Sequence, residues 1–262
     1  SWSVTAKEIN KDFFADAGFV TRNGMACITG MFKPKFYPKS EFVRRIETEF
    51  FSAQTYDLYY NMWETLDHVV LQSFMGRYST LRIKYAYSTE IFLGERFLTG
   101  GLSVLASSQV TKRIYLAALY RRINAIYYSD APYQGYSNKL TLNVNYKPTE
   151  NLHIDLSYIY NDLFRTKDRN WVYDYPITRG RITYQINKYL FLRAVTEYNG
   201  YKNTLLTDFL ASFTYIPGTV VYLGYGSLYE KAQWDGDEYV ADDRFLEMTR
   251  GFFFKCSYLF RH

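Results

Sequence analysis

The chain has 262 residues, carries 31 basic against 26 acidic side chains for a formal charge of +5, and is 20% aromatic, with 28 Tyr and 20 Phe. The charges are interspersed rather than blocked, which argues against a nucleic-acid surface, and six Pro and 15 Gly leave no room for a low-complexity chain. No run of 18 apolar residues exists, so membrane-crossing helices are excluded, while the mean hydropathy of −0.29 leaves open a barrel in which only alternate residues meet lipid.

Period-two alternation predicts fourteen strands, at about 1–9, 24–33, 42–56, 61–73, 78–92, 98–108, 113–127, 137–147, 151–164, 176–187, 190–200, 205–215, 219–231 and 245–261. Leu81, Ile83, Tyr85 and Tyr87 alternate with Arg82, Lys84 and Ser88. Over 139–147 every apolar or aromatic side chain falls on one face and every polar one on the other. Leu152, Ile154, Leu156, Tyr158 and Tyr160 oppose His153, Asp155, Ser157 and Asn161, and only Ile159 breaks the pattern. Ile182, Tyr184 and Ile186 oppose Arg181, Thr183, Gln185 and Asn187, and Phe252, Phe254, Cys256, Tyr258 and Phe260 close the series. An amphipathic helix needs spacings of three and four, which this period denies.

Connection lengths add a second argument. Short turns are expected at Met75-Gly76-Arg77, 109–112, Pro148-Thr149-Glu150, Lys188-Tyr189 and Ile216-Pro217-Gly218, and longer loops at 10–23, 129–136, 165–175 and 232–244, with 34–41 as an exception. Together these features predict an all-β, transmembrane, antiparallel up-and-down β-barrel of about fourteen strands over 1–262. It has short periplasmic turns, longer extracellular loops and Tyr girdles at the interfaces, and strand 14 pairs with strand 1, because open edges in lipid leave backbone groups unpaired. Twelve or sixteen strands are the alternative counts. Cys27 and Cys256 sit in predicted strands without metal-ligand spacing and are expected as free thiols.

Residues 12–22 (DFFADAGFVTR), 182–194 (ITYQINKYLFLRA), 208–215 (DFLASFTY), 217–220 (PGTV) and 254–261 (FKCSYLFR) carry a resemblance that spans essentially the whole chain. It resembles the C-terminal outer-membrane barrel domain of the domain-of-unknown-function 5916 family. The resemblance implies a longer protein with a preceding periplasmic β-sandwich similar to family 9 carbohydrate-binding modules, which is absent here, and it supplies no catalytic residues. The terminal Phe260-Arg261-His262 resembles an aromatic-ended last strand read by outer-membrane assembly machinery, with one extra His.

Strand parity places Glu47, Glu49, Arg82, Lys84, Asp155, Arg181, Arg193, Glu197 and Asp208 toward a lumen, either as a salt-bridged wall or as a selectivity constriction of opposed rows. On the lipid side a basic residue at mid-depth costs about 2–4 kcal/mol. Glu47 and Glu49 share a face and are chemically able to divide acid and base roles, but Arg44 and Arg45 offer ordinary compensation. His68, beside Asp67, reads as a wall residue. Trp171, Tyr173 and Tyr175 are loop candidates for stacking on a sugar, and Asp235, Asp237 and Glu238 for contacting a divalent ion or lipopolysaccharide.

No catalytic residue, metal or cofactor is expected. The expected function is an outer-membrane barrel of a Gram-negative bacterium that anchors or supports a periplasmic or surface module. A porin-like channel for small solutes is the alternative, and an outer-membrane hydrolase or glycan-binding protein comes behind it. Expected partners are lipid and lipopolysaccharide, the assembly machinery and a periplasmic or surface protein, with no nucleic acid.

Overall fold

The computed structural model describes residues 1–14, 20, 22–216, 218–235 and 239–259. Its seventeen strands are β1 (Trp2–Ile9), β2 (Met25–Phe32), β3 (Lys35–Phe36), β4 (Val43–Asp57), β5 (Met62–Met75), β6 (Thr80–Phe92), β7 (Glu95–Leu98), β8 (Gly101–Thr111), β9 (Ile114–Tyr127), β10 (Tyr133–Tyr146), β11 (Leu152–Arg165), β12 (Trp171–Asp174), β13 (Ile177–Gln185), β14 (Leu190–Asn199), β15 (Thr204–Ile216), β16 (Thr219–Trp234) and β17 (Tyr239–Ser257). They form one antiparallel sheet, and no described helix is long and apolar enough to cross a membrane.

The sheet is not closed into a barrel, which corrects the expected fourteen-strand cylinder. β1 pairs with β2 and is exposed at every position but Ile9, and β17 pairs with β16 and is exposed continuously over 249–257. A strand flanked on both sides shares cover with neighbours about 4.8 Å away, as β16 does over most of its length. Alternation fixes which side chains share a face; it carries no information on whether the two ends of a sheet meet.

Three short strands raise the count: β3 falls in the expected 34–41 link, β12 in the expected 165–175 loop, and β7 splits from β8. The split occurs at Gly100 and Gly101. A Cβ on Gly100 would lie 2.2 Å from the Ala86 carbonyl oxygen, and one on Gly101 2.2 Å from that of Arg122, so the backbones approach more closely than any side chain allows. The expected 232–244 loop is shorter than its acidic composition implies. β16 and β17 keep pairing to Trp234 and Tyr239, whose rings stand 4.9 Å apart in a T-shaped contact. The hairpin between β6 and β7 turns on Leu93 and Gly94, with φ of 49° and 81°, the left-handed pair that a two-residue turn requires.

The chain divides into two compact units. One comprises Ser1–Ser108, Leu119–Lys139 and Asp162–Tyr173, the other Gln109–Ala118, Leu140–Asn161 and Asp174–His262. In the first, the ladders set Trp2, Val4, Ile28, Phe32, Phe50, Trp63, Val69, Tyr85 and Tyr87 on one face and Cys27, Glu47, Glu49, His68, Arg82 and Lys84 on the other. In the second, Ile154, Leu156, Ile182, Tyr184, Leu192, Phe209, Leu223, Phe252 and Phe254 oppose Asp155, Arg179, Arg181, Arg193, Glu197 and Asp208.

In each unit the buried apolar residues that these ladders place lie on the charged face. Val70 sits between Glu49 and Lys84, Val195 between Arg181 and Asp208, and Leu210 between Arg193 and Gly224. Charged side chains flank them in the cross-strand rows, and the aliphatic stems of such side chains are able to shelter apolar neighbours. The apolar faces have no such cover from the protein. Cys27 and Cys256 are free thiols, and Cys27 Sγ accepts a hydrogen bond from Thr55 Oγ1 at 3.2 Å.

Candidate functional site: the charged faces

The first unit concentrates charge around two carboxylates. Glu47 and Glu49, two residues apart on β4, project to the same side. Lys33 Nζ lies 3.3 Å from Glu49 and 3.7 Å from Glu47, Lys35 Nζ lies 3.6 Å from Glu47, and Arg45 Nε lies 3.1 Å from Glu47 Oε1. His68 donates its Nε2–H to Glu49 Oε1 at 2.9 Å, and its ring stacks on Phe51 with centroids 4.8 Å apart. The His68 hydrogen bond holds the Glu49 carboxyl below the usual carboxylate range; burial opposes this, and Lys33 adds to it.

The compensation expected for Glu47 and Glu49 is thus supplied by Arg45 and by two lysines of the 33–36 segment. Lys33 ends the expected 24–33 strand, whereas Lys35 falls in the expected 34–41 link and pairs directly with Glu47 in the β3–β4 ladder. His68 turns away from its sequence neighbour Asp67, which lies on the opposite face and accepts from Gln54 Nε2 at 3.1 Å.

A second node closes the β4–β5 turn. The Arg22 guanidinium binds Asp57 through Nη2 and Glu64 through Nη1. Asp57 Oδ1 accepts from the Tyr59 and Tyr60 amides, each at 2.8 Å, and Glu64 Oε1 from the Ile91 amide at 2.7 Å. Burial works to raise the Asp57 carboxyl, but the Tyr60 amide, Arg22 and the Tyr59 amide outweigh it and hold the group below its ordinary value. None of these three side chains was singled out from sequence. Their link joins positions 35 and 42 residues apart, which no local pattern displays.

The second unit pairs charge across strands. Arg181 donates through Nε and Nη2 to Asp155 Oδ2 at 2.9 and 2.7 Å, and Asn145 donates to Asp155 Oδ1. Arg179 lies 3.6 Å from Glu197, and Arg193 lies 3.7 Å from Asp208. Charges of both signs alternate, so the face carries no row of one sign.

Of the residues singled out from sequence, Arg82 and Lys84 share the face of Glu47 and Glu49 but make no ion pair among the described residues. Trp171 stands exposed on β12, with Tyr173 on the same strand. Asp235 follows the end of β16, and Asp237 and Glu238 lie outside the described residues, as do Phe260, Arg261 and His262. Among the described residues no group of three or more His, Cys, Asp or Glu is placed to hold a metal ion.

No protein-family model matches the chain, and no curated protein matches it. The resemblance to the domain-of-unknown-function 5916 barrel is therefore overturned, by the open sheet and by the absence of a matching family. The barrel anchor, the porin-like channel and the remaining readings built on a closed transmembrane cylinder fall with it. Among solved structures, the chain is similar to the CymD monoaromatic hydrocarbon channel, with 88% of this chain and 81% of that chain covered, at 9% identity and a TM-score of 0.32. At that score the likeness carries neither fold nor activity across.

Proposed function

We propose that this chain is a non-catalytic, lipid-contacting β-sheet of the Gram-negative outer membrane, whose apolar faces are covered by the hydrocarbon of lipid and lipopolysaccharide. One observation carries the reading: the apolar faces are the uncovered ones. Trp2 is 77% exposed, Phe252 79% and Phe254 70%, on faces rich in aliphatic and aromatic residues. A water-soluble monomer rarely shows contiguous apolar surface beyond a few hundred Å², and covering one large side chain is worth about 1.5–3 kcal/mol. Lipid answers this demand without requiring a shape-matched partner. On the same reading, the outer-membrane assembly machinery delivers the chain, a periplasmic or surface protein meets the charged side, and nucleic acid is no partner.

The test uses single-tryptophan variants that retain Trp2 or Trp63, both on the apolar face of the first unit. Mixed with vesicles containing brominated acyl chains, both should shift to shorter emission wavelength and be quenched. A monodisperse protein in plain buffer, with neither fluorophore quenched, would remove the proposal.

A further inference from the structure

Arg82, Lys84 and Arg121 form a cationic group on the charged face of the first unit, and none has an ion-pair or hydrogen-bond partner among the described residues. Their placement follows from the ladders. Arg82 and Lys84 are two apart on β6, and Lys84 stands opposite Ser103 of β8. The Asn124 amide donates to the Gly100 carbonyl at 2.9 Å, a register that brings Arg121 of β9 opposite Ser103. Lys84, Ser103 and Arg121 are therefore consecutive members of one cross-strand row, spanning about 10 Å of backbone, which Lys and Arg side chains readily bridge. The same row continues the other way through buried Val70 to Glu49. Glu49, already paired with Lys33 and His68, also acts electrostatically on Lys84 and so offsets only part of the group's positive charge.

We propose that Lys84, Ser103 and Arg121, flanked by Arg82, bind a phosphate group, with the two cations holding its charge and the Ser103 hydroxyl donating to one oxygen. The Arg guanidinium offers paired donors suited to a tetrahedral oxyanion, and Lys supplies a point charge beside it. Burial lowers the Lys84 ammonium from its ordinary value and the Arg82 and Arg121 charges lower it further, against the Glu49 charge that raises it, and a bound anion would relieve the remaining cost. The inference goes beyond the lipid-contact reading, because it concerns the opposite face.

Phosphate reaches such a site either as a free phosphomonoester or as a lipid headgroup, and two titrations of the full chain separate these. One uses inorganic phosphate at constant ionic strength; the other uses detergent micelles doped with phosphatidic acid. Saturable binding in either supports the site, and the arm that saturates names the source. In that arm Lys84→Gln and Arg121→Gln should each weaken binding about tenfold or more, and Ser103→Ala, which disturbs no charge, by a smaller factor. Lys112→Gln, in the β8–β9 turn, removes the same charge elsewhere and should leave binding unchanged. The proposal is overturned if neither titration saturates, or if Lys112→Gln weakens binding as much as Lys84→Gln. Loss of tryptophan quenching with phosphate binding intact would remove the lipid reading alone.

Discussion

His68 reaches across the β4–β5 ladder to Glu49, 2.9 Å away, while its sequence neighbour Asp67 faces the other side of the sheet. The contact uses a histidine ring, held flat on Phe51, to finish a carboxylate that Lys33 also approaches. Replacing Glu49 with Gln should cost about 1–3 kcal/mol near neutral pH, since it removes a charge-assisted hydrogen bond at a largely sheltered position. The folded-state pKa of Glu49 lies below its unfolded value, so its stabilisation is fully present above the ordinary carboxylate range and is lost as pH falls through the folded value. Denaturant unfolding of the two proteins as a function of pH should therefore show their difference shrinking on acidification. A constant difference would remove the ionic account.

Arg22 serves two carboxylates at once, so its loss leaves both without their cation. Arg22→Met is expected to destabilise by about 2 kcal/mol, discounted from the fully buried case because the arginine itself is partly exposed. Arg22→Lys should recover only part of this, because one ammonium cannot present two fixed donor edges. Thermal or denaturant unfolding of the three proteins checks the order.

Arg181 and Asp155 are joined by two hydrogen bonds, but the arginine is well exposed. A double-mutant cycle with Arg181→Gln and Asp155→Asn should give a coupling of about 0.5–1 kcal/mol, falling as salt is raised. A coupling unaffected by salt would point to packing rather than charge.

Two glycines should separate close approach from mere absence of a side chain. Gly101→Ala places a Cβ 2.2 Å from the Arg122 carbonyl oxygen and should cost about 1–3 kcal/mol as the β8–β9 approach widens. Gly30→Ala meets nothing within 4 Å and should stay within about 0.5 kcal/mol of the parent in the same unfolding assay.

The strand interiors were legible because period two is a local property. Ile182 and Tyr184 share a face whatever the rest of the chain does, and their alternation with Arg181 and Thr183 reads directly from the sequence. What was not legible depends on distance. Closure is decided by whether β1 and β17 find partners, which no strand announces internally. The β3 and β12 strands are too short to show a period, and the split of β7 from β8 depends on backbone crowding at Gly100. Among charged residues, Glu47, Glu49, Arg82 and Lys84 were found by parity on their own strands. Arg22, Lys33, Lys35 and Arg121 needed the register between strands.

Val70, Val195 and Leu210 are buried on the charged faces, whereas Phe252 and Phe254 are largely exposed. A fluid cover would accommodate many shapes, whereas a cross-strand row of fixed neighbours accommodates few. Tolerance to mutation should thus run opposite to intuition, with interchangeable Phe, Leu and Tyr on the greasy side and methylene-level intolerance at the valines wedged among arginines and carboxylates.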